Sequence, residues 1–516
     1  MKTNHFLIEP LEARIAPATV ATFHSPITAT YDDVDGDHVT VKFSLPVLTA
    51  GNVAAVFNFM SPGYLADLDL TASASPDGTA ITFTVAKVAG GDGLVNVGYI
   101  HATGHDLGKV AVPGDLGQID AGSGSATVPA IKSLSVRSLG RLGLDTQAAG
   151  GSLDSDIKGA LGSLKVAGDV VGAYLIVFGA TTATLGPVTI GGSLIGGSGS
   201  ISGEIGSTLE MGAVKIGHDV LGGSGFISGL INTSDKLAGV SIGGSLIGGS
   251  NGFTGEIRCA GLGAVKIGHN LTGGSITGAA SLDRSGVIES GGRISSMTIG
   301  GSIVSGIDTS SGALTFNATI RAGNDIGALA VKGSLVGHGD TGSGASPVII
   351  SARGQAFPSP GIDLAIGHIT VGGRVEFANI LAGYDIALNA LNGDAQIGAV
   401  SVGGDWIASN LVAGAMNLGA DNVTGGTGAN ADNVNFGDSH DFSSGSGSAG
   451  IIAKIASITI AGQVFGTPNS TSSTDHFGFV AEQIGAVKIG GNAIALTAGP
   501  DNLAVGETSD MTVHEV

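Results

Sequence analysis

The chain has 516 residues, 91 of them glycine, and only 12% charged and 4% aromatic residues against 42% apolar. Its formal net charge is −20, from 22 Lys+Arg and 42 Asp+Glu, and its mean hydropathy is +0.38. Disorder needs low hydrophobicity, collagen needs Gly at every third position with abundant Pro, and a helical bundle loses about 1 kcal/mol at each interior Gly, so an all-β chain with many turns remains.

Residues 1–18 read as an N-terminal export or sorting segment. The run MKTNHFLIEPLEARIAPA has an early Lys but lacks the apolar stretch of about 7–15 residues that marks an ordinary secretory signal. Leu11-Glu12-Ala13-Arg14, followed by Ile15-Ala16-Pro17-Ala18, resembles the Leu-Glu-x-Arg motif near the N-terminus of large bacterial exported and surface proteins. That resemblance implies a secreted or cell-surface location and no chemistry. The longest apolar candidate, Val170 to Ala180, is shorter than the roughly 18 residues that span a bilayer, so no transmembrane segment is expected.

Residues 19–91 predict a small β-rich N-terminal cap, with strands Ile27–Tyr31, Val39–Leu45 and Ala80–Val88 separated by Asp35-Gly36 and Pro76-Asp77-Gly78 turns. Within it, Asp33-Val34-Asp35-Gly36-Asp37 alternates carboxylates on a Gly-bearing turn. Such a turn offers hard oxygen donors, so Asp33, Asp35 and Asp37 are candidate calcium ligands. The alternative is a plain acidic hairpin turn, because Gly comes too early for an EF-hand loop and no Glu closes the site.

Residues 92–505 carry internal repeats such as LGPVTIGGSLIGGSGSISG from Leu185, MGAVKIGHDVLGGSGFISG from Met211 and LAGVSIGGSLIGGSNGFTG from Leu237. Each unit holds an apolar–polar–apolar triplet. Anchoring on its second apolar residue gives Val112, Val136, Val166, Ile190, Ile216, Ile242, Ile267, Ile299, Val331, Val371, Val402, Ile460 and Ile489. The 58-residue gap after Val402 is the widest and reads as two repeats, one obscured by an insert. The triplet is a strand whose middle residue (Thr189, Lys215, Ser241, Lys266) faces out. Gly191-Gly192 and its equivalents are expected to turn the chain through positive φ. A polar corner residue follows (Ser193, Asp219, Ser245, Asn270, Ser302, Ser334, Asp405, Asn492), then a short second strand such as Leu194-Ile195. A third strand is placed at Ile201 and Ile227. Such units predict a parallel β-solenoid of the right-handed β-helix type, with about 13–14 irregular coils and stacked corner ladders. Loop inserts are expected at 339–360 and 417–450, and 506–516 reads as a C-terminal cap.

Other residues carry weaker signals. Cys259 is the sole cysteine, which excludes an internal disulfide and a cysteine zinc site. His218 and His269 share a template position two coils apart, about 10 Å, too far to share a metal. Trp406 reads as a core residue. Asp421, Asp432, Asp438, His440 and Asp441 lie in an insert expected to be a solvated loop. The outward triplet positions are Ser, Thr and Lys, without the aligned carboxylates that polysaccharide-cleaving β-helices need, so no enzyme is expected and no catalytic residue is assigned. The acidic chain, without Lys/Arg runs, is not expected to bind nucleic acid.

The repeat region resembles the β-solenoid repeats of bacterial surface proteins, including adhesin-like and autotransporter-passenger-like repeats. The resemblance implies an exported, surface-associated structural or adhesive scaffold, without a required cofactor. Its partners would be a surface glycan, a protein ligand or a second copy of the chain. The alternatives are a polysaccharide-active β-helix enzyme and a self-assembling fibre or lattice module.

Overall fold

A computed structural model describes residues 19–60, 63–73, 76–179, 181–339, 345–417, 435–444, 447–448, 450–467 and 476–516. The Leu-Glu-x-Arg motif and most of the 417–450 insert lie outside the described residues. The fold is all-β, with one large, mostly parallel sheet and, among the described residues, a single short helix at Val53–Val56.

Three parallel ladders run through the repeat region. The first is the triplet. Leu164–Val166, Val188–Ile190, Val214–Ile216 and Val240–Ile242 pair in succession with no shift, and all thirteen anchors join this ladder. The burial pattern is buried–exposed–buried in Leu164–Val166, Val188–Ile190 and Val214–Ile216, as period-2 alternation requires. The second ladder stacks two-residue strands, among them Leu194–Ile195, Val220–Leu221 and Leu246–Ile247. The third stacks longer strands: Ser202–Ser207, Ser228–Thr233, Thr254–Cys259 and onwards. Its inward column of Ile205, Ile231, Ile257, Ile288, Ile320, Ile350 and Ile380 is wholly buried.

The count of units changes in one place. Val402 pairs directly with Ile460, so the 58-residue gap is one repeat with an insert, and no further triplet stacks between these two. The extra residues leave after one third-ladder strand and return before the next triplet, so pairing across the gap is undisturbed.

The glycine pairs after each triplet also act differently from expectation. Gly191, Gly217 and Gly243 are not among the residues with positive φ. Space is the constraint: a Cβ on Gly217 would lie 2.0 Å from the Gly191 carbonyl oxygen, and one on Gly243 would lie 2.1 Å from that of Gly217. Only at the last copy does the pair adopt positive φ, Gly490 at 57° and Gly491 at 86°, and there the chain reverses into an antiparallel hairpin, Gln483–Ile489 with Asn492–Ile494. Asn492 therefore leaves the corner position predicted for it. Ile201 and Ile227 are likewise not strand residues. They sit at φ 53° and 56° at the turn just before the third-ladder strand.

The corner ladder exists, and it is built from side chain to backbone. Asp169 Oδ1 accepts the Ser193 N–H at 2.8 Å, Ser193 Oγ that of Asp219 at 3.2 Å, and Asp219 Oδ1 that of Ser245 at 2.7 Å. The chain continues through Ser245, Asn270, Ser302 and Ser334 to the N–H of Arg374. Arg has no acceptor, so this run ends there; Asp405 Oδ1 then accepts from Gln463 N–H at 2.8 Å.

Antiparallel strands flank the parallel ladders. Thr22–Ser25, Thr28–Asp32, His38–Phe43 and Thr79–Ala86 form an antiparallel run, which joins the first ladder where Ile81 pairs with Val110. At the other end Met511–Glu515 pairs parallel with Phe477–Ala481 and antiparallel with Asn502–Ala504.

Candidate functional site

Asp33, Asp35 and Asp37 do converge, with a ligand oxygen from each within 4.8 Å of the others. Much of their capacity is already used. Asp37 is fully buried, and its two oxygens accept the N–H groups of Val88 at 2.7 Å and Gly93 at 2.6 Å. Asp33 Oδ1 accepts the Asp37 N–H at 2.8 Å, and Asp35 Oδ2 that of Asp92 at 2.8 Å. The turn therefore pins the segment 88–93 to the hairpin. Burial, then the neighbouring Asp35, push the Asp33 carboxyl up to about 7, while its bond with Asp33 holds Asp35 low. An all-oxygen donor set of this kind suits a hard cation, with Asp33 and Asp35 the side chains best able to contribute.

A larger cluster lies where the sequence did not point, on the outward face of the third ladder. Its strands continue towards the N-terminus as Tyr64–Asp69, Val97–Thr103, Leu107–Gly122, Asp154–Lys158 and Tyr174–Phe178. Alternation sends every second residue outwards. Asp67 pairs with Tyr99 and Asp69 with His101; Tyr99 then pairs with Gln118 and His101 with Asp120. Asp154 pairs with Tyr174, and Tyr174 with Glu204. The result is a strip of carboxylates interleaved with aromatic rings. Tyr99 donates to Asp120 Oδ2 at 2.6 Å and stacks on His101 with centroids 5.0 Å apart. Asp120 Oδ1 accepts the Asp156 N–H at 2.8 Å. Burial followed by the Asp120 and Asp154 charges raises the Asp156 pKa.

Farther along the same face the charges close in on themselves. Glu289 accepts from Arg284 at 2.6 Å and pairs with Arg321 at 2.5 Å. Arg321 is wholly buried, its guanidinium 3.8 Å from the Phe316 ring centroid, and it donates to the Ile386 carbonyl. Glu256 is also wholly buried, and neither carboxylate oxygen has a hydrogen-bond partner; the nearest cation, Arg284, is 4.0 Å away. Burial pushes both Glu204 and Glu256 up to about 7. A buried ion network of this sort orders side chains more than it stabilises them.

The outward triplet positions carry no aligned carboxylates, as expected, whereas the third ladder, which that expectation did not cover, does. A signal was present in ISGEI and FTGEI, which place Glu204 and Glu256 in shared register, and in RSGVIES, which sets Glu289 beside Arg258 in the next column. Strand lengths that differ from copy to copy hide it.

The remaining residues fall as follows. Trp406 is wholly buried, donates Nε1–H to the Ser409 carbonyl at 2.9 Å and meets Phe479 edge-on. His218 and His269 are exposed. Cys259 is buried, and burial pushes its thiol up to about 12. Asp421 and Asp432 lie outside the described residues. Asp438, His440 and Asp441 are not on a solvated loop: Asn417 donates to Asp438 at 3.0 Å and Asp441 at 2.9 Å, and Phe436 is buried beside Tyr384 and Val480. No helix among the described residues is long and apolar enough to cross a membrane. Comparison with protein-family models, curated proteins and solved structures gives no match.

Proposed function

We propose that the three ladders are the faces of a right-handed parallel β-solenoid, and that this rod is an exported, surface-associated scaffold whose outward third-ladder face makes adhesive contacts. In this reading the repeats supply length and stiffness, at about 4.8 Å per strand step. The antiparallel strands at either end protect edges that would otherwise recruit further chains. The sequence resemblance of residues 11–18 is what points to export.

The observation that carries the contact assignment is the strip of Tyr99, His101, Asp120, Asp156 and Tyr174 on successive strands of one half-exposed face. Flat rings beside hydrogen-bond acceptors suit a polyhydroxylated surface such as a glycan, because rings cover C–H faces while carboxylates accept from hydroxyls. A glycan and matrix-protein array with the intact chain tests this. Binding lost in a Tyr99→Ala/Tyr174→Ala variant and kept in Lys215→Ala/Lys266→Ala is the expected result. An intact chain that binds nothing, or binding indifferent to the tyrosines, would refute it.

A second reading, a polysaccharide-active enzyme, draws on the neighbouring carboxylates Asp120, Asp154 and Asp156. Release of reducing ends from acidic and neutral polysaccharides, abolished by Asp156→Asn, would favour it over adhesion.

A further inference from the structure

The residues Asp67, Asp69 and His101 sit at one end of that face, and their geometry is independent of what the rod attaches to. We propose that they form a binding site for a divalent transition-metal ion of the zinc class.

Sequence and register make the cluster. Asp67 and Asp69 are two residues apart on Tyr64–Asp69, so alternation places both outwards, and parallel pairing sets His101 beside Asp69. One donor atom from each lies within 4.8 Å of the other two. His101 Nδ1 is 3.6 Å from Asp69 Oδ1, too long for a hydrogen bond. Two ligands at that separation, each about 2.1 Å from a common ion, subtend about 118°, close to the tetrahedral preference of zinc.

The surroundings hold the donors in place. The Tyr99 ring, tilted only 17° from the imidazole, fixes its plane. The Thr71 N–H and hydroxyl bond Asp69 Oδ1 at 2.9 and 2.6 Å. The Asp67 Oδ1 atom is buried and has no partner. Burial, then Asp69, push the Asp67 carboxyl up to about 6, against the opposing pull of His101. The other ionisable groups alongside are Tyr99 and, one strand on, Asp120, already bonded to Tyr99. The local balance is negative, and a buried carboxylate oxygen lacks a cation or donor.

The donor set selects the metal. An imidazole with two carboxylates favours zinc, cobalt or nickel, whereas calcium takes six to eight oxygens and gains little from a ring nitrogen. Three protein ligands leave a fourth position for water or for an oxygen of a bound partner.

The test is calorimetric titration of the untagged, chelator-stripped full chain with zinc chloride, with cobalt(II) absorption reporting coordination. One equivalent should bind, with cobalt bands of a low-coordinate nitrogen–oxygen site. Asp67→Asn and His101→Ala should each weaken zinc by roughly 100-fold or more, at or beyond the upper end of what outer-shell changes cost. Lys266→Ala, exposed on the first ladder, should leave zinc binding unchanged. Near-isosteric Asp67→Asn, its thermal melt recorded alongside, guards against a misfolded His101→Ala. An intact chain that takes up no zinc, or equal uptake in both variants, would overturn the proposal.

Discussion

The outward faces of the first and third ladders share one backbone plan and differ almost completely in chemistry. Thr189, Lys215, Ser241, Lys266, Thr370, Ser401 and Thr459 stand along the first, mostly exposed and without a carboxylate among them. Asp120, Asp156, Arg258, Glu289 and Arg321 occupy one column of the third, and Glu204 and Glu256 the other. The difference comes from what lies over each face. Among the described residues the outward side of the short triplet strands stays mostly exposed, so small polar residues and Lys suffice there. From Thr254–Cys259 onwards the third-ladder charges are covered by Phe253 and Phe316, which lie against Arg258, Arg284 and Arg321, and by Ile386, whose carbonyl takes the Arg321 guanidinium. Charges placed under that cover must find each other. Stacked parallel strands fix register, and the connecting loops decide whether an outward position is solvated or buried.

The contrast can be broken most sharply at Arg321. Replacing it with Ala takes one of the two cations from Glu289, which keeps Arg284, and the nearer of the two over Phe316; chemical denaturation should show a loss of about 1.5–3 kcal/mol. A loss below 1 kcal/mol would mean that the face is wetter than its burial implies.

Glu204 and Glu256 sharpen it through pH. Their pKa values, raised from 4.5 to about 7, mean the folded chain binds protons more tightly than the unfolded chain. Their contribution to stability therefore falls as pH rises from about 4.5 through 7. Thermal midpoints should rise on acidification from pH 8 to pH 5, and Glu256→Gln should flatten that dependence. An unchanged slope in the variant would remove Glu256 from the account.

Smaller effects are expected at the corner and on the first face. Ser245→Ala removes the acceptor for the Asn270 N–H and should cost about 0.5–1.5 kcal/mol. Lys266→Ala, exposed beside it in the stack, should change stability by less than about 0.5 kcal/mol. Equal losses at the two positions would contradict a structural corner ladder.

The triplet ladder was legible in the sequence because two constraints coincide there. Period-2 alternation marks Val188-Thr189-Ile190, and close backbone stacking keeps Gly at the next position, so the pattern repeats almost letter for letter. The corner residues could be read for the same reason. The third face could not. Glu256, Glu289 and Arg321 meet across copies of unequal length, and their meaning depends on cover supplied by residues such as Ile386, 65 positions from Arg321. The zinc-class cluster joins Asp67 and Asp69 to His101 through register alone, and no local motif announces it. The convergence of Asp33, Asp35 and Asp37 was legible because all three carboxylates lie within five residues.

The most direct test of the account is the register across the long insert. Ser401 and Thr459 pair in neighbouring exposed positions although 58 residues separate them. Parallel neighbours bring Cα atoms about 4.8 Å apart, within disulfide reach. A Ser401→Cys/Thr459→Cys variant should oxidise to one internal disulfide, mapped by mass spectrometry, with buried Cys259 still reduced. Failure to form that bond, with both introduced thiols accessible, would contradict the ladder of directly stacked repeats.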